Sequence, residues 1–276
     1  MVSAILFRYS PTLFIRRFLL SALLLLTGVA TVAAQGAGDS ARAVGGTTRN
    51  YLIGLSHTNI LDTYISQEKA SGPELRYIFN KERRRDSSRV SFTVMHQAFI
   101  TSSDTRGNDN SMLSAMYNLK FGWHCNWWPL RGLRLRAGGV VDATLGGLYN
   151  TRNSNNPAQA RLALAIDPTV GAVWHFRLWR RPFALRYEAY SPLIGAAFSP
   201  NYGQSYYEIF SRGNYDHNIV FTQPGNAFQL YQLLLLDFRL WRATFSVGYM
   251  GDIRQLRANS LKYHQYSHGI VVGWRL

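Results

Sequence analysis

The side chains best suited to catalysis are seven histidines and a scatter of serines. A lipid hydrolase or acyltransferase needs a serine nucleophile with a histidine in hydrogen-bond reach. On a β-strand alternate residues share a face, so such a pair should read His-x-Ser or Ser-x-His. The chain does not supply it. Ser267 and His268 are neighbours and point to opposite faces. His264 and Tyr266 share a face without a serine, and His96 is followed two residues later by Ala98. His124 and His175 have no serine close in sequence. A triad would have to be assembled across strands, and no spacing points to one. His264 and His268 are the one histidine pair near ligand spacing, in a stretch that reads as an outer loop, and the pattern matches no known ligand set. No catalytic, cofactor-binding or metal-binding residue is expected. Cys125 is the only cysteine, so no internal disulfide is possible.

Charged residues carry a stronger pattern. Arg76, Arg134, Arg136, Arg161, Arg177, Arg186, Arg239, Arg254 and Arg275 fall on the polar phase of alternating segments. Asp142, Asp167, Glu188, Asp237 and Asp252 share that phase. Two chemistries fit. One is a salt-bridged plug filling a narrow barrel. The other is an anion-selective pore, since rings of arginine favour anions. Barrels of about eight strands are filled by side chains and open channels appear at about 16–18, which favours the plug.

The elements that position these residues have a period of two. Leu113, Ala115, Tyr117, Leu119, Phe121 and Trp123 alternate with Ser114, Met116, Asn118, Lys120, Gly122 and His124. The same pattern runs through 133–145, 162–178, 183–189, 230–240, 243–254 and 270–276, with weaker segments at 51–57, 74–80 and 90–100. That predicts an all-β fold, a transmembrane antiparallel up-and-down β-barrel of about ten strands, with eight to twelve allowed. Pro168 inside a long segment implies a bulge or two strands in place of one. The stretch 192–226 has room for an extra hairpin.

Alternation does not say which face is inside, and a lipocalin-like carrier would reverse it. Three features favour the membrane form. Short connections at 125–130, 179–182 and 241–242 alternate with long ones at 148–157, 192–226 and 255–264, as in outer-membrane barrels. Trp123, Trp127, Trp128, Trp174, Trp179, Trp241 and Trp274 all lie near the ends with short turns, as an interfacial girdle. The final alternating segment runs to the last residue. Barrels of this kind commonly end so, in a strand read by the outer-membrane assembly machinery, although Leu276 stands where an aromatic residue is usual.

The N-terminus supports export. Arg8, Arg16 and Arg17 precede an apolar run from Phe18 to Ala34 that ends in Val32-Ala33-Ala34, the grammar of a signal peptide cleaved after Ala34. Residues 1–34 are thus the cleaved signal, 35–49 a flexible periplasmic lead-in and 50–276 the barrel. No later run is long enough to span a membrane as a helix; the apolar run Leu233 to Leu236 is followed by charges at Asp237 and Arg239. The formal charge is +15, of which the signal contributes three arginines. Export removes nucleic acid as a partner, and outer-membrane lipid and lipopolysaccharide become the expected counter-charges.

Several stretches carry a resemblance. They are Asn59 to Tyr64, Asn156 to Ala160, Phe183 to Tyr187 and, most telling, Phe198-Ser199-Pro200-Asn201-Tyr202-Gly203-Gln204-Ser205-Tyr206-Tyr207-Glu208-Ile209-Phe210. Together they resemble a family of uncharacterised proteins from Bacteroides-like bacteria, classed as a domain of unknown function. The resemblance spans nearly all of the exported chain. It implies an outer-membrane β-barrel and no particular activity.

Tyr202, Tyr206, Tyr207 and Phe210 form a candidate surface contact loop, for glycan or protein, or a loop packed on itself. Asn59 to Ser66 reads as a lid or a plain loop, and Lys81 with Arg83 to Arg85 as a basic turn within reach of lipid headgroups. The functional expectation is an outer-membrane barrel with a structural or accessory binding role. The alternatives are a narrow anion-selective pore and a lipid-modifying enzyme.

Overall fold

The computed structural model describes residues 45–276, apart from 87, 108, 109, 154, 155 and 242. The expected signal peptide and most of the expected lead-in lie outside the described residues. The strands are β1 (Gly46–Asp62), β2 (Ser66–Arg84), β3 (Val90–Thr105), β4 (Ser111–Leu130), β5 (Leu133–Asn150), β6 (Ala158–Leu178), β7 (Arg181–Tyr190), β8 (Ile194–Phe198), β9 (Ile219–Thr222), β10 (Gln229–Leu240), β11 (Ala243–Ala258) and β12 (Leu261–Arg275). One short helix, α1 (Tyr206–Phe210), lies between β8 and β9.

Ten strands, all but β8 and β9, close an antiparallel barrel. Its seams are β1 with β12, from Asn50↔Arg275 to Asp62↔Tyr263, and β5 with β6. Closure leaves the barrel strands no open edge, the condition for strands in lipid. The alternation is inverted relative to a soluble barrel. Leu55, Ile100, Leu164, Ile166, Val170 and Ile270 point outward and are exposed, while Arg76, Lys120, Asp167 and Asp252 are buried inside. On β4 the outward apolar set runs from Leu113 to Trp123, about the length that a transmembrane β-strand needs.

Four short connections define the turn end, where β1 begins and β12 finishes. The links β4–β5, β6–β7 and β10–β11 are two residues each. Trp179, Arg180 and Trp241 hold left-handed φ of 48°, 62° and 54°, as tight hairpin turns require. The opposite end is the mouth, and here the expected loops shrink. Residues 255–264 are not a long loop: β11 and β12 meet in a two-residue turn at Asn259 and Ser260, both left-handed. The stretch 59–66 is mostly strand, with a turn only at 63–65, and β5 continues to Asn150. Polar residues such as Thr58 and Gln265 have the period of strand once they face a polar interior, so their polarity imitates a loop. The same cause starts β1 at Gly46, inside the expected lead-in.

Pro168 breaks nothing. β6 is continuous, and Pro168 sits where its neighbour changes from β7, paired from Thr169↔Tyr190, to β8, paired to Ile166↔Ile194. The Pro168 carbonyl accepts from Ser191 N–H at 3.3 Å, so its missing donor faces the same changeover and costs no ladder bond. β7 and β10 are short, and the β8–β9 hairpin continues the wall above them. The room for a hairpin in 192–226 is filled in this way.

Candidate functional site

The interior is packed with ion pairs. Near the turn end, Arg134 makes a two-pronged contact with Glu82, at 2.9 and 3.0 Å. Arg136 reaches Glu188 at 2.5 Å and Glu82 at 3.4 Å. Asp237 takes Arg186 at 2.7 Å, Arg275 at 3.1 Å and the Ser246 hydroxyl at 2.7 Å. Higher up, Arg76 donates to Glu74 at 2.8 Å, Asp252 at 2.7 Å and Gln97 at 3.0 Å, with its guanidinium 4.3 Å from the Phe99 ring centre. Arg254 donates from Nε to both Asp252 oxygens at 3.1 Å. Lys120 bridges Asp142 and Asp167, and Arg161 pairs with Asp62 while stacking 3.8 Å over Tyr263.

These pairs balance. Eight cations (Arg76, Lys120, Arg134, Arg136, Arg161, Arg186, Arg254, Arg275) meet eight carboxylates (Asp62, Glu74, Glu82, Asp142, Asp167, Glu188, Asp237, Asp252). A buried charge is tolerated when paired and hydrogen-bonded, so each group fixes its partner's place. Among the described residues the buried lumen charges therefore cancel, and the buried interior offers no free arginine ring.

Between the ionic layers lies an apolar septum of Leu52, Ile78, Met95, Val140, Leu233, Leu235, Met250 and Val271, with Tyr190 and Tyr231. Each is at most 2% exposed. A second apolar cluster, of Ile60, Phe99, Met112, Met116, Leu148 and Tyr263, closes the lumen nearer the mouth. A cavity of about 90 Å³ remains above it, reaching Arg161, Arg254, Asp142 and Phe198. Liquid water takes about 30 Å³ per molecule, so this space holds only a few waters. The larger hollow, about 890 Å³, runs across the outer wall of β1–β5 between Leu55, Leu75, Ile100 and Tyr149.

Twelve of the fourteen charged residues expected on the inward phase stand in these pairs. Arg177 and Arg239 share the inward phase but lie at the turn end and are exposed, beyond the last buried layer. The sequence reading omits Asp62, Glu74, Glu82 and Lys120 from that network. Asp62 fell in a stretch read as loop, and Glu74 and Glu82 bound a weakly alternating segment. The septum is also missed. Its signal is the run Leu233 to Leu236, which puts leucine on both faces of β10. Of the tryptophans, Trp179 and Trp241 are the most exposed, at 84% and 86%. Trp123, Trp127 and Trp274 are exposed beside them, Trp174 stacks on Phe176, and Trp128 lies under Arg84. His124 is buried between Thr93 and Thr169, and His264 and His268 lie on β12, not in a loop. Among the described residues no three side chains converge as a metal site.

The mouth is covered by residues 199–218, a tied lid. Ser205 caps α1 with a full capping box: its side chain accepts from Glu208 N–H, and Glu208 accepts from Ser205 N–H at 2.8 Å. Those bonds to the charged form hold the Glu208 carboxyl below its ordinary range. Tyr206 is the anchor. Its hydroxyl donates to Gln159 at 2.9 Å and accepts from Ala160 N–H at 2.6 Å, and its ring meets Tyr64 edge-on. Tyr64 donates to Gln204 O at 2.9 Å; burial first, then nearby Tyr206, Asp62 and Glu208, pushes its hydroxyl up to about 12. Asn259 donates to Ser199 O and His217 O, both at 2.9 Å. Tyr206 thus faces inward, while Tyr202, Tyr207, Phe210 and Tyr215 are exposed. Three stretches that carried the family resemblance, 59–64, 156–160 and 198–210, meet here.

A family model described as a protein of unknown function, DUF3316, matches residues 18–275. The chain belongs to this family. The DUF3316 chain has no match among curated proteins. Solved structures similar to it include the transport unit of the autotransporter AIDA-I from Escherichia coli, at 7% identity and TM-score 0.44, covering 88% of this chain and 95% of that one. The outer membrane protease OmpT from Escherichia coli aligns at 6% identity and TM-score 0.43, over 83% and 95%. Ail, the attachment invasion locus protein of Yersinia pestis, aligns at 11% identity and TM-score 0.30, over 83% and 99%. Likenesses this distant bear on neither activity nor partner.

Proposed function

We propose that this DUF3316 chain is a closed, non-conducting barrel of the bacterial outer membrane with a structural or accessory binding role at the cell surface. It arrives by export with cleavage after Ala34 and inserts through the assembly machinery that reads its C-terminal strand, in Bacteroides-like bacteria as the resemblance implies. The observation that carries the reading is the filled lumen: charges in balance, with an apolar septum across them. A pore needs a wetted path, and the septum offers only the buried hydroxyls of Tyr190, which donates to Glu188 at 3.0 Å, and Tyr231. Tyr202, Tyr207 and Phe210, displayed on the tied lid, are the proposed contact surface for glycan or protein. Among the described residues of the lumen none pairs a nucleophile with a base in an open site, which favours a non-enzymatic role.

The test is planar-bilayer recording on protein folded into vesicles, with the shift in gel mobility on heating as the check of folding. We expect a heat-modifiable band and no steady current. Sustained anion-selective channels from the folded band would overturn the plug and restore the pore.

A further inference from the structure

The chain's unbalanced positive charge is concentrated in one place. At the turn end Arg49, Arg83, Arg85, Arg89, Arg131 and Arg181 are all exposed. Among the described residues of these turns and the strand ends beside them, only three acids occur. Glu82 is turned inward to Arg134 and Arg136, Asp237 is turned inward to Arg186 and Arg275, and Asp86 accepts Gly45 N–H at 2.5 Å. The mouth is different, because there acids stand beside bases: Glu68 next to Lys69, Asp104 near Arg106, Glu208 a turn from Arg212. The excess is therefore a feature of one rim, and it is nearly all arginine. A guanidinium binds phosphate through two parallel N–H donors, which an ammonium does not.

The indoles stand on the same rim. Trp179 and Trp241 occupy left-handed turn positions that bulky residues seldom adopt, and each projects an almost fully exposed indole. Trp123, Trp127 and Trp274 lie on the outer wall just above. Exposed indole has its favoured place at the headgroup level of a bilayer. An acidic protein partner would need no such belt around the wall.

We propose that this rim is a phosphate-binding collar for anionic glycerophospholipid, in the leaflet that faces the turns. The arginines take the headgroup phosphates, and the indoles seat the glycerol and upper acyl region against the wall. The collar fixes the barrel's depth and draws an anionic lipid shell around it. This rests on the reading that the barrel spans a membrane.

The tryptophans report their own lipid contacts. The full exported chain is folded into phosphatidylcholine vesicles containing brominated phosphatidylglycerol, or brominated phosphatidylcholine as the control, and tryptophan quenching is compared. A single cationic contact at a lipid surface corresponds to about a fivefold preference. We expect phosphatidylglycerol to be preferred by at least that factor at low salt, and the preference to fall as salt rises. Combining Arg83→Gln, Arg85→Gln, Arg89→Gln and Arg131→Gln, all at exposed positions, should bring it close to one while the heat-modifiable band persists. Equal quenching by the two lipids, a preference indifferent to salt, or an undiminished preference in the folded variant overturns the collar. Absence of quenching by either lipid overturns membrane insertion itself.

Discussion

Replacing Arg76 by methionine tests the interior directly. Arg76 is fully buried and holds Glu74 at 2.8 Å and Asp252 at 2.7 Å. Asp252 keeps Arg254 when Arg76 is removed, with contacts of 3.0–3.1 Å. Glu74 has no second cation. It keeps the Ser267 hydroxyl at 2.6 Å and a long contact from Gln265 at 3.4 Å. The single variant thus strands one buried carboxylate, and breaking a buried pair from one side costs about 3–5 kcal/mol. The double change Arg76→Met with Glu74→Gln removes the stranded charge. Its cost should drop to about 1–2 kcal/mol, the scale of lost neutral hydrogen bonds and imperfect packing. The assay is reversible denaturant unfolding from lipid vesicles, followed by tryptophan fluorescence and by the heat-modifiable band. A single variant within about 0.5 kcal/mol of the parent, the range of an ordinary surface change, would refute the argument. So would a double variant as unstable as the single one, since the stranded carboxylate is then not the cause.

The lid yields two further predictions. Tyr206→Phe removes the hydroxyl that ties α1 to Gln159 and Ala160, so limited proteolysis within 199–218 should speed up by several-fold, whereas Tyr207→Phe, at an exposed ring, should leave the rate unchanged. Equal rates for the two variants would show that Tyr206 is not the anchor. Ser205→Ala deletes the N-cap, a loss of about 1 kcal/mol, and should raise hydrogen exchange over 205–211 without altering the barrel. The same cap is sensitive to pH. The Glu208 carboxyl is depressed in the folded lid, so its contribution is full above the ordinary carboxylate range and is lost as pH falls through the folded value. Protection over 205–211, taken relative to the intrinsic exchange rate at each pH, should therefore fall on acidification in the parent, and much less in Ser205→Ala; identical pH profiles of protection would remove Glu208 from the cap.

The sequence by itself determined the wall. A strict period of two, with leucine, valine and aromatic residues on one phase and arginine and aspartate on the other, decides β-strand at every long segment from 113 onward. Tryptophan near the short turns favours the apolar phase as the face that meets lipid. Those are local or additive properties, read without knowing any pairing. The inward phase was legible too, as in Arg136, Asp167 and Arg254, because alternation sorts faces whatever their content. Partners were not legible. Arg161 meets Asp62 across 99 positions of sequence and Arg76 meets Asp252 across 176, and only closure of the sheet with its register brings them together. The septum escaped for a related reason: Leu52, Met95 and Val140 are each a lone apolar residue on a polar face until the barrel stacks them at one height. The lid escaped because the loop of 199–218 takes its shape from Tyr64, Gln159 and Asn259, contributed by three other parts of the chain. Tertiary structure thus decided whether the lumen is open or filled. That depends on which charges neutralise one another and which side chains share a layer, and a one-dimensional pattern carries neither.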